Sequence, residues 1–373
     1  MRRETLLAMS QKIAARARSI AARCKARKDK GGPPSSRRPP DEKLAKGQKK
    51  IDKGRYEEAI EIFTRIIESD PRTVDAYRGR SEAELLLGRY SDAYRDLYAL
   101  LIASVQPENI DDLADTILAG YERRLADGPT DVPALTGGSF ARWVFWQYAD
   151  AIPLLDQLLA MDPKNVYAHL FRGSNRLFAE EDVAGGEADL DRAIQLAPKN
   201  AHVRHIVADA YTYPRPDPER AFREASLALQ WGLDTPRVHA ILASALLARE
   251  DVPGAARHHR KHIDLVTKKH VDTAPLGAGS TVTLDLAPGR THRIPLQVTA
   301  GERVQIETGS PSPQIWDSIL VVLGPDGTPV IGSDDHVDYF AGLDWSVPAT
   351  GTYQMRVTSF EGINKGPLSV TRS

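Results

Sequence analysis

Up to about residue 270 the apolar positions fall at three- and four-residue steps; beyond it they alternate or cluster in short runs. The first pattern predicts helices with one buried face, the second predicts strands. In GRYEEAIEIFTRIIESDP, Tyr56, Ala59, Phe63 and Ile66 share a face and Asp70-Pro71 ends the helix. GRYSDAYRDLYALL repeats that face thirty-four residues later with Tyr90, Ala93, Leu97 and Leu100. YADAIPLLDQLLAMDPKN keeps the frame with Tyr148, Ala151, Leu155, Leu158 and Pro163. The next copy ends at Pro198, one residue beyond the period, which suggests an insertion near Gly185-Gly186. Ala221 and Ala255 are again thirty-four apart. ENIDDLADTILAGYERRLADG, within residues 108–130, has helical spacing at Ile110, Leu113, Ile117, Tyr121 and Leu125 but fits no repeat. Residues 41–270 therefore read as about six helical hairpins with one intercalated helix. The alanine lets paired helices approach, and the glycine before the tyrosine permits a tight turn.

Past His270, STVTLDL, RIPLQV, RVQIET, SILVVLG, TYQMRV and LSVTRS are short runs rich in Val, Ile and Thr, separated by Gly, Pro and Asp. Residues 271–373 are expected to form a β-sandwich of roughly eight strands. The fold class is thus multidomain, an α-solenoid followed by an all-β sandwich.

Charge separates a third part. Thirteen Lys and Arg against four Asp and Glu over residues 1–43 give +9, which a net charge of −1 for all 373 residues conceals. Leu6, Ile13, Ala17, Ile20 and Cys24 lie at helical spacing, and Gly31 to Pro40 then breaks the helix with glycine and proline. Residues 1–40 read as a mostly disordered basic arm with a weakly amphipathic helix, suited at most to a weak contact with nucleic acid or anionic lipid. Lys12, Arg16 and Arg18 interrupt any secretory apolar core, and no stretch has the length and apolarity of a transmembrane helix, so a cytoplasmic location is expected.

The thirty-four-residue period, with an aromatic before the small helix-crossing residue and a terminal proline, resembles the tetratricopeptide repeat. In that family the first helix of each unit lines a concave groove. The resemblance places Arg78, Glu82, Tyr167, Ser174, His202, His205, Asp209 and Arg237 on the groove wall. It also implies a protein or peptide ligand. The family's Lys/Asn carboxylate clamp is absent, because Leu44, Gln48, Arg78 and Glu82 hold the corresponding positions. The strand region resembles the bacterial pre-peptidase C-terminal domain, a jelly-roll-like accessory sandwich. The shared features are the strand from Ala300 to Ile306, Gly-Pro-Asp-Gly after the Asp317 strand, Asp334-Asp335, and Thr-Gly-Thr-Tyr from Thr350 to Tyr353. That resemblance implies a binding module without catalysis of its own.

Motif chemistry points the same way. No Walker loop, Gly-x-Gly-x-x-Gly turn, His-Glu-x-x-His pair or Gly-x-Ser-x-Gly elbow occurs, and a single Cys24 excludes an intramolecular disulfide. His258 and His262 in HHRKH are one helical turn apart, a metal-compatible spacing, but no second ligand pair accompanies them and the run reads as a solvated basic face. Asp334 and Asp335 are the best-placed calcium oxygens, although loop aspartates also cap turns; no metal or cofactor is assigned. The expected function is a non-enzymatic scaffold or adaptor that holds a peptide or protein in the groove. The alternatives are a substrate-binding subunit for a separately encoded hydrolase or protease, and an anionic-surface binder acting through the basic arm.

Overall fold

The computed structural model describes residues 42–71, 73–103, 107–179, 182–212, 216–310, 317–334, 340–360, 362 and 366–373. The basic arm, Cys24 and Asp335 lie outside the described residues. Thirteen helices are described. They are α1 Glu42–Ile51, α2 Tyr56–Ser69, α3 Val74–Leu86, α4 Tyr90–Ala103, α5 Pro107–Asp127, α6 Val132–Val144, α7 Tyr148–Met161, α8 Val166–Ala179, α9 Val183–Leu196, α10 Ala201–Ala210, α11 Pro218–Gln230, α12 Pro236–Ala248 and α13 Val252–Val266. Nine strands follow: β1 Lys269–Asp272, β2 Ser280–Leu286, β3 Arg290–Val298, β4 Arg303–Gly309, β5 Ser318–Leu323, β6 Pro329–Ser333, β7 Gly342–Ser346, β8 Gly351–Ser359 and β9 Gly366–Arg372. The architecture is an α-solenoid of helical hairpins followed by a two-sheet sandwich. Among the described residues its compact units are 42–212 and 216–373.

In the first unit the sequence frame sets both the turns and the crossings. Gly54 and Gly88 stand two residues before α2 and α4 with φ of 68° and 75°, a conformation costly for residues bearing a Cβ. Trp146, before α7, keeps the same left-handed turn without glycine at φ 59°. Ala59 and Ala93 are fully buried. The closest approach, however, is made by glycines at the sixth position of α1 and α3. Phe63 of α2 lies between them, and a Cβ on Gly47 or Gly79 would meet its ring at 2.6 or 2.4 Å.

One ionic clamp recurs at the same places in the second and fourth hairpins. Arg80, seventh in α3, donates to both carboxylate oxygens of Asp96 at 2.7 and 2.6 Å, and to Thr64 of the preceding hairpin at 3.0 Å. Arg172, seventh in α8, does the same to Asp189 at 2.7 and 2.7 Å and to Asp156 at 2.8 Å. Gly173 and Gly186 bring the backbones of α8 and α9 into contact, so Gly185-Gly186 belongs to a helix crossing. The residue beyond the period lies instead in α8, fourteen residues long against thirteen in α3 and α6.

In the second unit the sheets run β1-β3-β8-β5-β6 and β2-β9-β4-β7. Alternation in β4 turns Val304, Ile306 and Thr308 inward, and the core gathers Ile294, Leu320, Met355 and Val370 from both sheets. The strand beyond the expected eight is β1, which pairs parallel to β3 at the sheet edge. Helix gives way to strand between Val266 and Lys269, close to the expected change of period. The compact unit nevertheless begins at Pro216, because Ala240 of α12 and Ala256 and Ile263 of α13 share an apolar cluster with Ile319, Val321 and Leu323 of β5. Glu250, two residues before α13, has φ 62° and repeats the turn seen at Gly54.

Candidate functional site: the inner repeat face and a histidine cluster

The residues assigned to the groove wall in the first unit are mostly buried, and the chain's own helices cover them. Glu82 is fully buried. Arg124 of α5 donates one nitrogen to both Glu82 oxygens at 2.7 and 2.9 Å, and two others to Asp131 at 3.0 and 3.0 Å. Asp131 also caps α6 by accepting from the Ala134 N–H. Burial works against the Arg124 charge, but Glu82 and Asp131 outweigh it and hold its pKa up. The intercalated helix thus occupies the wall at Glu82. Arg78 packs its guanidinium 5.3 Å from the Tyr121 ring centre, and Tyr121 fills the space above Gly137, the sixth residue of α6.

Helix α4 supplies the second covering element. Tyr90 meets Tyr167 at 6.0 Å and Phe171 at 5.5 Å on α8, and His202 at 6.1 Å on α10. The Tyr167 hydroxyl donates to the Thr136 carbonyl at 2.8 Å, and Ser174 accepts from the Trp143 indole at 3.1 Å. His205 and Asp209 are buried as well. The register does place these polar groups inward, but internal packing and hydrogen bonding account for Glu82, Tyr167 and Ser174 without a partner. Arg78 and His202 are different: each is only partly buried, although Arg78 Nη1 and His202 Nδ1 are themselves buried without a hydrogen-bond partner. Burial lowers the His202 pKa. Arg237 belongs to the other unit, half-buried in the first turn of α12.

A buried carboxyl lies on the same α3. Glu84 is pushed up to about 8 by burial and by the neighbouring carboxylates Asp96 and Asp92. It is therefore protonated at neutral pH.

The HHRKH run is not a solvated face. His259 and His262 are fully buried where α13 packs on the sandwich, and His258 is half-buried. His262 Nε2 donates to the Phe360 carbonyl at 2.6 Å, while its Nδ1 is buried without a partner. Burial pushes its pKa down to about 4. His259 lies over Gly332 of β6, its Nε2 3.4 Å from Asp334. Asp334 is held low by His259 and His262 against the effect of its burial, so this candidate calcium oxygen is turned toward imidazoles. His258 Nδ1 is 2.7 Å from His239 Nδ1 on α12, and His239 Nε2 is 2.9 Å from Asp234. Among the described residues no group of three His, Cys, Asp or Glu side chains is placed to hold a metal ion. The run of Ala255, Ala256, His259, His262 and Ile263 at helical spacing was a legible sign of a buried face.

Comparison with known proteins bears on the repeats. The tetratricopeptide-repeat family model matches residues 44–108 and 146–201, and these segments are tetratricopeptide repeats. No curated protein matches the sequence. Similar solved structures include a thermophilic tetratricopeptide-repeat protein of Thermus thermophilus, 20% identical, covering 55% of this chain and 97% of its own, with a TM-score of 0.33. A tetratricopeptide-repeat protein of Parabacteroides merdae is 17% identical over 71% of this chain and 94% of its own, with a TM-score of 0.37. The pre-peptidase C-terminal domain of a Bacillus anthracis collagenase is 9% identical over 28% of this chain and 95% of its own, with a TM-score of 0.23. Among the described residues no helix is long and apolar enough to cross a membrane.

Proposed function

We propose that this tetratricopeptide-repeat chain is a non-enzymatic scaffold or adaptor, which holds a protein or peptide through its repeats and uses the sandwich as an accessory binding module. The repeat architecture carries this reading, since stacked hairpins offer a long ligand many small contacts. The packing narrows where such a ligand would bind. Helices α4 and α5 cover Glu82, Tyr167 and Ser174, and burial removes His205 and Asp209. Arg78 and His202 remain as inward groups that are only partly buried. They are the first unit's contacts to a partner segment. Arg237 is the corresponding position in the second unit.

The test is a quantitative pull-down from the source cell with wild type and an Arg78→Ala/His202→Ala double variant, both checked for intact helical circular dichroism. The expected outcome is a shared set of captured proteins, at least one of which is recovered about tenfold less by the variant. Equal recovery of every captured protein would remove the inner repeat face from the binding surface.

A further inference from the structure

We propose that the α12–α13 hairpin is an acid-released latch on the sandwich, held only while His239, His258 and His262 are not fully protonated. The geometry admits few protons. The Asp234 carboxylate accepts from His239 Nε2, so the neutral His239 presents a bare Nδ1 to the proton on His258 Nδ1, 2.7 Å away. One further proton leaves a donor and an acceptor across that gap. Two make both nitrogens donors, and the contact between α12 and α13 is lost. His262 already donates Nε2–H to the Phe360 carbonyl, so a second proton must enter at Nδ1, which is buried and lacks an acceptor.

The surrounding charges set the direction. Lys261 of α13 pairs with the second Asp234 oxygen at 3.2 Å, and Arg257 adds positive charge beside His258, while Asp251 at the start of α13 opposes it. From the sandwich, Asp334 after β6 faces His259, and Arg356 of β8 pairs with Asp264 of α13 at 3.0 Å. Before β5, the Asp317 carbonyl accepts from the Phe360 N–H at 2.9 Å. His259 Nε2 faces Asp334 at 3.4 Å, whereas the other three imidazoles have no carboxylate bonded at the nitrogen that takes the incoming proton. Burial pushes His258 and His262 down to about 4, which sets release between about pH 6.5 and 4. Separation of α13 exposes the β5 face now covered by Ala256 and Ile263.

Hydrogen exchange of the full chain, read by mass spectrometry from pH 7.5 to 4.5 and corrected for intrinsic rates, tests the latch. Peptides of α12 and α13 should lose protection below pH 6.5, with an opening constant that rises about tenfold per pH unit for each proton taken up. Peptides of α6 and α8 should keep theirs. His262→Gln and His258→Asn, which keep a donor but do not titrate in this range, should each make the rise shallower. Protection unchanged down to pH 4.5, or lost equally in α6 and α8, would overturn the proposal. So would an unaltered slope in folded His262→Gln and His258→Asn; should both variants unfold, the wild-type contrast between α13 and α8 decides.

Discussion

The second hairpin and the last are built on one repeat frame, yet they bury ionisable groups of opposite kinds. In α3, Glu82 is buried as part of an ionic set with Arg124 and Asp131, and Glu84 is buried as a neutral acid near Asp96. In α13, His259 and His262 are buried as imidazoles against a sheet. The difference follows from what covers each helix. Helix α5 brings Arg124 to α3, whereas β5, β6 and the Phe360 carbonyl offer α13 mostly apolar surface and backbone acceptors. A repeat frame therefore fixes which positions point inward, and the covering element decides which charge state survives there.

The largest way to break this contrast is to remove the covering charge. Arg124→Ala leaves the Glu82 carboxylate buried and unpaired, and urea unfolding should show a loss of about 3–5 kcal/mol in the first unit's transition. Next, Gly79→Ala forces the Phe63 ring to move, at about 1–3 kcal/mol, and Ala59→Leu overpacks the neighbouring crossing by a similar amount. Glu57→Ala, which removes only an exposed pair with Arg89, should change stability by about 0.5 kcal/mol or less in the same assay.

Titration sharpens the comparison because the two regions should respond with opposite sign. The unfolded chain binds a proton on His262 near its ordinary pKa of about 6.5, while the folded protein binds it only at about 4. Stability from this group is complete above that window and falls, as pH drops through it, by about 1.4 kcal/mol per pH unit. Glu84 does the reverse. The folded acid keeps its proton up to about 8 while the unfolded one loses it near 4.5, so stability falls as pH rises through that range. His202, partly buried, opposes this weakly. Unfolding followed by exchange in α3 and α13 peptides at pH 7.5 and 5.5 should show the two moving apart. The smallest effect lies in the turns: Glu250→Gly relieves an exposed left-handed residue and should raise stability by up to about 1 kcal/mol in thermal unfolding, whereas Gly88→Ala should lower it by about as much.

Much of the fold was legible in the chain. The thirty-four-residue return of Gly-x-Tyr-x-x-Ala located the hairpins, and alternation located the sandwich. Gly54 and Gly88 announced turns that Trp146 and Glu250 keep without glycine. The inner face was legible as a register but not as a surface, because its occupant, α5, lies outside the repeat and Tyr90 reaches it from a second helix of a hairpin. Periodicity reports which side of a helix is apolar and says nothing of which distant segment covers its polar positions. HHRKH was misread for the same reason: the charged composition of the run suggested solvent, whereas the sheet that buries His259 and His262 is encoded some sixty residues or more further on.

A double-mutant cycle between Glu82 and Arg124 tests most directly whether the chain's own helix closes the inner wall around Glu82. Glu82→Ala, Arg124→Ala and the double variant would be compared by urea unfolding at pH 7. Two groups bonded at 2.7 and 2.9 Å in a buried site should couple by about 2 kcal/mol or more, so that the double variant is far less damaged than the sum of the singles. Additivity within about 0.5 kcal/mol would contradict that closure and leave Glu82 open to a partner.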